Sequence, residues 1–355
     1  MKRFSYEACS LLLLAGLFAA SASGQENGPP RAKAFGSAPE IPYDSTPNFL
    51  KLPVGVYFGE AAGVARNSKG HIFVYTRNGE GSRLFEFDAK GMFVREIGKG
   101  LYAFQYAHAV RVDAQDNIWV VDEGTDMVVK LSPEGRVAMT MGRRPEFGGG
   151  LRATEPPNAP PPATQPYRFG RPTDVTFDSA GNIFVADGYG NSRVVKYDKN
   201  GRFIKEAGTR GSGPGQFNAA ISIQTDANGN VYVADRGNRR IQVFTNDLVY
   251  KTSYDNVGGP WSICITPGPH QYLYSSNSNP ASNNSLTDAV SGEIYKMELD
   301  GTVLGKFGKA GKRWKEFTTV HAIDCQQDND LLVAEVAGWR VQRLTLHPQS
   351  LTSSR

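Results

Sequence analysis

The stretch that decides the fold is Pro172-Thr173-Asp174-Val175-Thr176-Phe177, Ser179-Ala180-Gly181-Asn182, Ile183-Phe184-Val185-Ala186-Asp187. A short strand meets an Asp/Ser/Gly/Asn turn, then an alternating strand that closes on an aspartate. Gly188 to Ser192 forms a loop, and Arg193-Val194-Val195-Lys196-Tyr197-Asp198 reads as a third strand. Lys199-Asn200-Gly201 then turns into Arg202-Phe203-Ile204-Lys205. Asn-Gly between alternating runs is a strong hairpin signal, so the unit is a four-stranded meander.

The same unit recurs along the chain. Its second strand appears as Ile72-Phe73-Val74-Tyr75, Ile118-Trp119-Val120-Val121-Asp122, Val231-Tyr232-Val233-Ala234-Asp235, Tyr272-Leu273-Tyr274-Ser275 and Leu331-Leu332-Val333-Ala334-Glu335. The second strands end at Thr76, Asp122, Asp187, Asp235, Ser276 and Glu335, an average spacing of about 52 residues. A four-stranded unit at that period is a propeller blade, so the expected fold is all-β, a six-bladed β-propeller. The sixth copy has three clear strands. Phe49 to Tyr57 is expected to supply the fourth and latch the ring, covering an open edge.

The expected organisation is a signal segment at 1–24, an extended leader at 25–46, the propeller at 47–348 and a tail at 349–355. A Pro/Gly-rich insert interrupts the period at 143–170, and a Ser/Asn-rich stretch follows Asn277. Lys2 and Arg3 precede the apolar run Leu11 to Ala20, with small residues at Ala20-Ser21-Ala22 for cleavage. That run is shorter than the ~20 residues a spanning helix needs. An exported protein, secreted or periplasmic, with no stable membrane insertion is therefore expected. The 355 residues carry 39 Lys+Arg against 35 Asp+Glu, a net +4. So small an excess argues against a nucleic-acid partner. Once Cys9 leaves with the signal, Cys264 and Cys325 remain. They read either as a disulfide or as two buried small hydrophobes.

The run Ala234-Asp235-Arg236-Gly237-Asn238-Arg239-Arg240-Ile241-Gln242-Val243-Phe244 resembles an NHL repeat. Arg171-Pro172-Thr173-Asp174-Val175, Asp187-Gly188-Tyr189-Gly190-Asn191-Ser192-Arg193 and Pro214-Gly215-Gln216-Phe217 resemble the peptidyl-α-hydroxyglycine α-amidating lyases. The similarity runs from about residue 45 to about 346. The resemblance implies a zinc-dependent six-bladed propeller that splits a hydroxyglycine-extended peptide into an amide and glyoxylate. It implies three zinc histidines at inner-strand starts of blades two, four and six. Tyr106-Ala107-His108-Ala109-Val110 and Thr319-Val320-His321-Ala322-Ile323 supply His108 and His321. Asn218-Ala219-Ala220-Ile221-Ser222 has Ile221 where the third ligand should stand. Ala322 replaces the acidic residue that holds a structural calcium in the family, so calcium is not expected. Tyr189 and Arg77 match the family's active-site tyrosine and arginine.

Strand order brings these residues to one end of the blades. His108 and His321 sit at inner-strand starts. Arg77, Tyr189, Arg193 and Arg236 sit in loops between second and third strands. Both features lie on one face of a propeller, so all six are expected at one mouth of the central channel, with Trp261 as a further ligand contact. A catalytic zinc usually has three protein ligands and an open position, so two histidines and Ile221 are expected to hold zinc weakly. Asp122, Asp187 and Asp235 recur with the repeat and read as loop caps. Two functions follow. One is a monomeric binding propeller that holds a peptide or small anionic ligand at the mouth. The other is a metal-dependent carbon–nitrogen lyase with an altered metal site, in which Tyr189 and Arg77 are catalytic.

Overall fold

A computed structural model describes residues 38–144, 164–277 and 292–348. The expected signal segment, the core of the Pro/Gly-rich insert, the Ser/Asn-rich stretch after Asn277 and the tail lie outside the described residues. The described chain forms six four-stranded antiparallel sheets. Five are consecutive meanders: residues 60–97, 107–142, 174–207, 220–254 and 260–307, here blades 1 to 5. Blade 6 takes three strands from residues 320–346 and its outermost strand from Tyr43–Thr46. Alternation along each strand drives this arrangement, because both faces of a blade must be covered by its neighbours. Phe73, Tyr75, Val110 and Val120 pack together between blades 1 and 2, and Tyr274, Phe307, Ile323 and Val333 between blades 5 and 6.

The ring is closed by an N-terminal strand, but not by the segment expected from sequence. Tyr43–Thr46 pairs antiparallel with Arg343 to Leu346. Just before it, Ile41 N donates to Lys306 O at 2.8 Å and Lys306 N to Pro39 O at 2.9 Å. The latch therefore touches blades 5 and 6 together and begins inside the expected leader. Residues 49–57 are not a blade strand. Phe49, Leu50, Leu52 and Val56 instead cover Phe85 and Phe87 of blade 1. Their apolar pattern serves packing, with Lys51 N donating to Gly91 O at 2.8 Å beside the outer strand of blade 1 but no strand formed.

Gly305 shows how tightly the latch is seated. A Cβ there would lie 2.7 Å from the Ile41 side chain. We expect Gly305→Val to lift the latch at a cost of about 1–3 kcal/mol, the usual range for overpacking. Limited proteolysis should then cut within residues 38–48 far faster than in the wild type. Unchanged cleavage would show that the latch is not held there.

The fifth repeat ends one residue later than its sequence suggests. Pro260 pairs with Asn277, and Asn277 Oδ1 accepts from Gly259 N at 3.0 Å. Asp235 Oδ1 does the same for Asn218 N at 2.8 Å in blade 4. The carboxylate or amide at this position caps the incoming loop, as read from sequence for Asp122, Asp187 and Asp235. Cys264 and Cys325 form a disulfide with Cα atoms 6.0 Å apart, joining the inner strands of blades 5 and 6.

Candidate functional site

Five of the six blades interrupt their ladder at the axis, blade 3 alone among the described blades pairing without a shift. The pairing of first and second strands shifts between Ala61 and Gly63, Ala107 and Ala109, Ala220 and Ser222, and Val320 and Ala322. The residue skipped in each case is Ala62, His108, Ile221 or His321. A bulge leaves its extra residue unpaired and re-aims the side chain. Trp261 sits in the corresponding gap of blade 5, between Pro260 and Ile263. His108, Ile221, Trp261 and His321 thereby line a water-sized cavity of about 10 Å³ on the axis.

The two histidines meet. Their ring centroids are 4.7 Å apart, and the Tyr189 ring is 5.7 Å from His108. Trp261 lies 5.3 Å from His321. Both imidazoles are buried, at 3% and 5% exposure. His108 Nδ1 is 2.6 Å from Thr173 O, and His321 Nδ1 is 2.6 Å from Ala62 O. A carbonyl can only accept, so both protons sit on Nδ1 and both Nε2 lone pairs are left for another partner. Burial lowers the His108 pKa to about 4 and that of His321 well below its ordinary value, so both are neutral at pH 7. His108 Nε2 is buried without a hydrogen-bond partner among the described residues.

This tautomer suits a metal ligand. The donor set does not complete a site, because Ile221 offers no lone pair. Among the described residues, no group of three His, Cys, Asp or Glu is arranged to hold a metal ion.

The charged side chains divide by what already holds them. Arg77 donates to Glu60, donates to Ala107 O at 3.0 Å, and stacks 4.0 Å over the Tyr106 ring. Arg236 lies 3.8 Å over the Trp261 ring. Arg236 Nε and Trp261 Nε1 are buried donors without a hydrogen-bond partner among the described residues. Burial pushes the Arg236 pKa below its ordinary value, as expected for a desolvated cation. Burial and the nearby Glu123 raise Tyr189 to about 12, so it enters as a neutral phenol and can donate a proton or hydrogen bond.

Arg193 is held by the scaffold and offers no side chain to a ligand, contrary to the sequence expectation. It is 1% exposed, donates to Asp187 Oδ2 at 2.9 Å and pairs with Glu206. It also donates to Gln165 O and Arg168 O. Arg240 and Arg340 clasp Asp235 and Glu335 in the same way. The three arginines share one repeat position, so that position serves the scaffold.

Two mouth residues escaped the sequence reading. Glu123 follows Asp122 as Arg77 follows Thr76 and Arg236 follows Asp235, so its register placed it at the mouth. Its Oε2 lies 3.9 Å from His108 Nε2, while Oε1 accepts from Arg171 Nε at 2.8 Å. Arg171 in turn sits 4.7 Å over the Tyr189 ring. His108 Nε2 and Glu123 Oε2 are both acceptors, so the contact suits a shared donor between them.

Comparison with known proteins agrees with this architecture. Residues 166–332 match a family model described as a 6-bladed beta-propeller. The chain is 27% identical to mouse peptidyl-glycine alpha-amidating monooxygenase over 329 residues, covering 82% of this chain and 31% of the relative. It thus spans about a third of that protein's length. It is 27% identical to Drosophila melanogaster peptidyl-alpha-hydroxyglycine alpha-amidating lyase 1, covering 75% and 50% of the two chains. With mouse NHL repeat-containing protein 3 it shares 28% identity, covering 66% of each. A virginiamycin B lyase structure from Staphylococcus aureus shares the fold at a TM-score of 0.55 and 13% identity, covering 87% of this chain and all of that one. The chain is a six-bladed β-propeller, similar in sequence to the peptidyl-α-hydroxyglycine α-amidating lyases and to NHL repeat-containing protein 3.

Proposed function

We propose that this chain is an exported binding propeller whose mouth receives the carboxylate end of a peptide or of a small anionic ligand. One observation carries the reading: Arg236 Nε and Trp261 Nε1 are buried, adjacent and without acceptors. Buried donors without partners cost free energy, and an incoming carboxylate would satisfy both. Elsewhere at the same mouth, His108 Nε2 and Glu123 Oε2 stand 3.9 Å apart as a pair of acceptors. A peptide terminus carries both groups, an amide N–H and a carboxylate. The Cys264–Cys325 bond supports an oxidising compartment, and no helix among the described residues is long and apolar enough to cross a membrane.

The second reading is a metal-dependent lyase, favoured by the Nδ1-protonated tautomers of His108 and His321. A metal there would supply Lewis-acid polarisation, with Tyr189 as a nearby phenolic donor and Arg236 on the anion. With Ile221 in place, the wild type should hold zinc weakly, and the binding reading takes precedence.

The test is Arg236→Ala, titrated calorimetrically with a short peptide bearing a free C-terminal carboxylate. A charge-assisted bond contributes roughly 1.5–3 kcal/mol, so affinity should fall about 10–100-fold. Equal affinity in wild type and variant would remove the reading.

A further inference from the structure

We propose that the mouth-side rim between blades 5 and 6 is a docking surface for an acidic, aromatic-containing peptide segment: the part of the ligand that precedes the carboxylate held by Arg236 and Trp261. The proposal rests on the mouth reading above and extends it to ligand class.

The loop at 308–319 leads from blade 5 into the inner strand that carries His321, so it opens on the mouth face. The loop at 208–219 does the same between blades 3 and 4. The two share one backbone. Gly311 N donates to Phe317 O at 3.0 Å, and Gly211 N to Phe217 O at 3.1 Å. Phe317 N donates to Lys309 O and Phe217 N to Thr209 O, both at 2.8 Å. Arg313 N donates to Glu316 Oε2 at 3.0 Å, as Gly213 N does to Gln216 Oε1 at 2.9 Å. Arg340 holds Lys312 O and Glu316 O, as Arg240 holds Gly213 O and Gln216 O.

Their sequences differ where those contacts are silent. One loop reads Gly211-Ser212-Gly213-Pro214-Gly215 and the other Gly311-Lys312-Arg313-Trp314-Lys315. The first shows that small neutral residues suffice for this conformation. Lys312 and Arg313 are therefore surplus to the loop's fold, while Trp314 also offers its ring to Arg340, whose guanidinium lies 5.4 Å from the ring centre. Lys315 is different, since its ammonium binds the latch at Asp44, 2.8 Å away. The side chains of Lys312 and Arg313 are exposed. Trp314 is 40% exposed and Trp339, in the neighbouring mouth-side loop of blade 6, is 62% exposed. Exposed tryptophan beside Lys312 and Arg313, neither of which forms an ion pair among the described residues, suits a partner with carboxylates and aromatic rings. Trp339 occupies the loop type that carries Arg77, Glu123, Tyr189 and Arg236 in other blades, so the patch belongs to the same face as the site.

The test is a loop exchange that the blade 3–4 loop guarantees to be foldable: Lys312→Ser, Arg313→Gly and Trp314→Pro together. Three peptides with one common free C-terminus serve as probes, their preceding residues Glu/Phe, Ser/Phe or Lys/Phe. The wild type should bind the acidic peptide at least about tenfold more tightly than the neutral one, and the gap should shrink with salt. The exchanged protein should keep its Tm and lose the gap. No acidic preference in the wild type, or a preference that survives the exchange, overturns the proposal. So does exchange-sensitive binding to phosphatidylglycerol vesicles with no peptide preference, which would make the rim a lipid surface. If Arg236→Ala leaves all three peptides unchanged while the acidic preference still depends on the loop, the mouth reading fails and the rim assignment stands.

Discussion

Ile221→His should tighten zinc binding at least roughly 10–100-fold over wild type, because a ligand counts for no less than the outer-shell partner that orients it. The geometry prepares the position. Ile221 is the bulged residue of blade 4, as His108 and His321 are in blades 2 and 6, and all three line one cavity. Each existing histidine anchors its Nδ1 on a carbonyl of the following blade, Thr173 O or Ala62 O. Alternate blades place three such positions around the axis, which suits a site with three protein ligands and one open position. Zinc content after dialysis, with competition by a chromogenic chelator, reads the change. Glyoxylate release from a hydroxyglycine-extended peptide can be followed in parallel. Full zinc occupancy in the wild type would show that its ligand set is already complete, and would move the protein to the lyase reading.

Loss of the Cys264–Cys325 bond should lower stability by about 4 kcal/mol. The two positions are 61 residues apart, and the loop-closure entropy removed from the unfolded chain by such a link has that size. The double variant Cys264→Ala, Cys325→Ala should therefore melt roughly 6 °C lower, given an unfolding entropy of about 2.1 cal/mol/K per residue. The effect is specific to ring closure, because the bond ties blade 5 to the blade that the N-terminal latch completes. Calorimetric scans of wild type, double variant and reduced wild type would measure it. Coincident melting curves would show that blade packing alone holds this junction.

The blades were legible because each strand alternates and each turn carries Asn, Asp or Gly. The latch was not. Tyr43-Asp44-Ser45-Thr46 has no run of apolar residues, since it closes the ring through backbone bonds at an exposed edge. Phe49 to Tyr57 has the more strand-like composition but packs on the apolar cluster shared by blades 1 and 6. The disulfide depended on a distance that spacing does not give. At the site, strand order was enough to bring His108, His321, Tyr189, Arg236 and Trp261 together. It failed for Arg193 because that residue opens the third strand instead of standing in the loop, at the position where Arg240 and Arg340 also clasp the acid that ends the second strand. Glu123 was missed for a different reason: its register pointed to the mouth, but no motif drew attention to it.

The most direct test of the central claim, that the mouth takes a carboxylate terminus, is a calorimetric titration of the wild-type protein with one peptide in two forms, C-terminal carboxylate and C-terminal amide. The donors at Arg236 and Trp261 predict that the carboxylate form binds about 10–100-fold more tightly. Equal affinity for the two forms would contradict it.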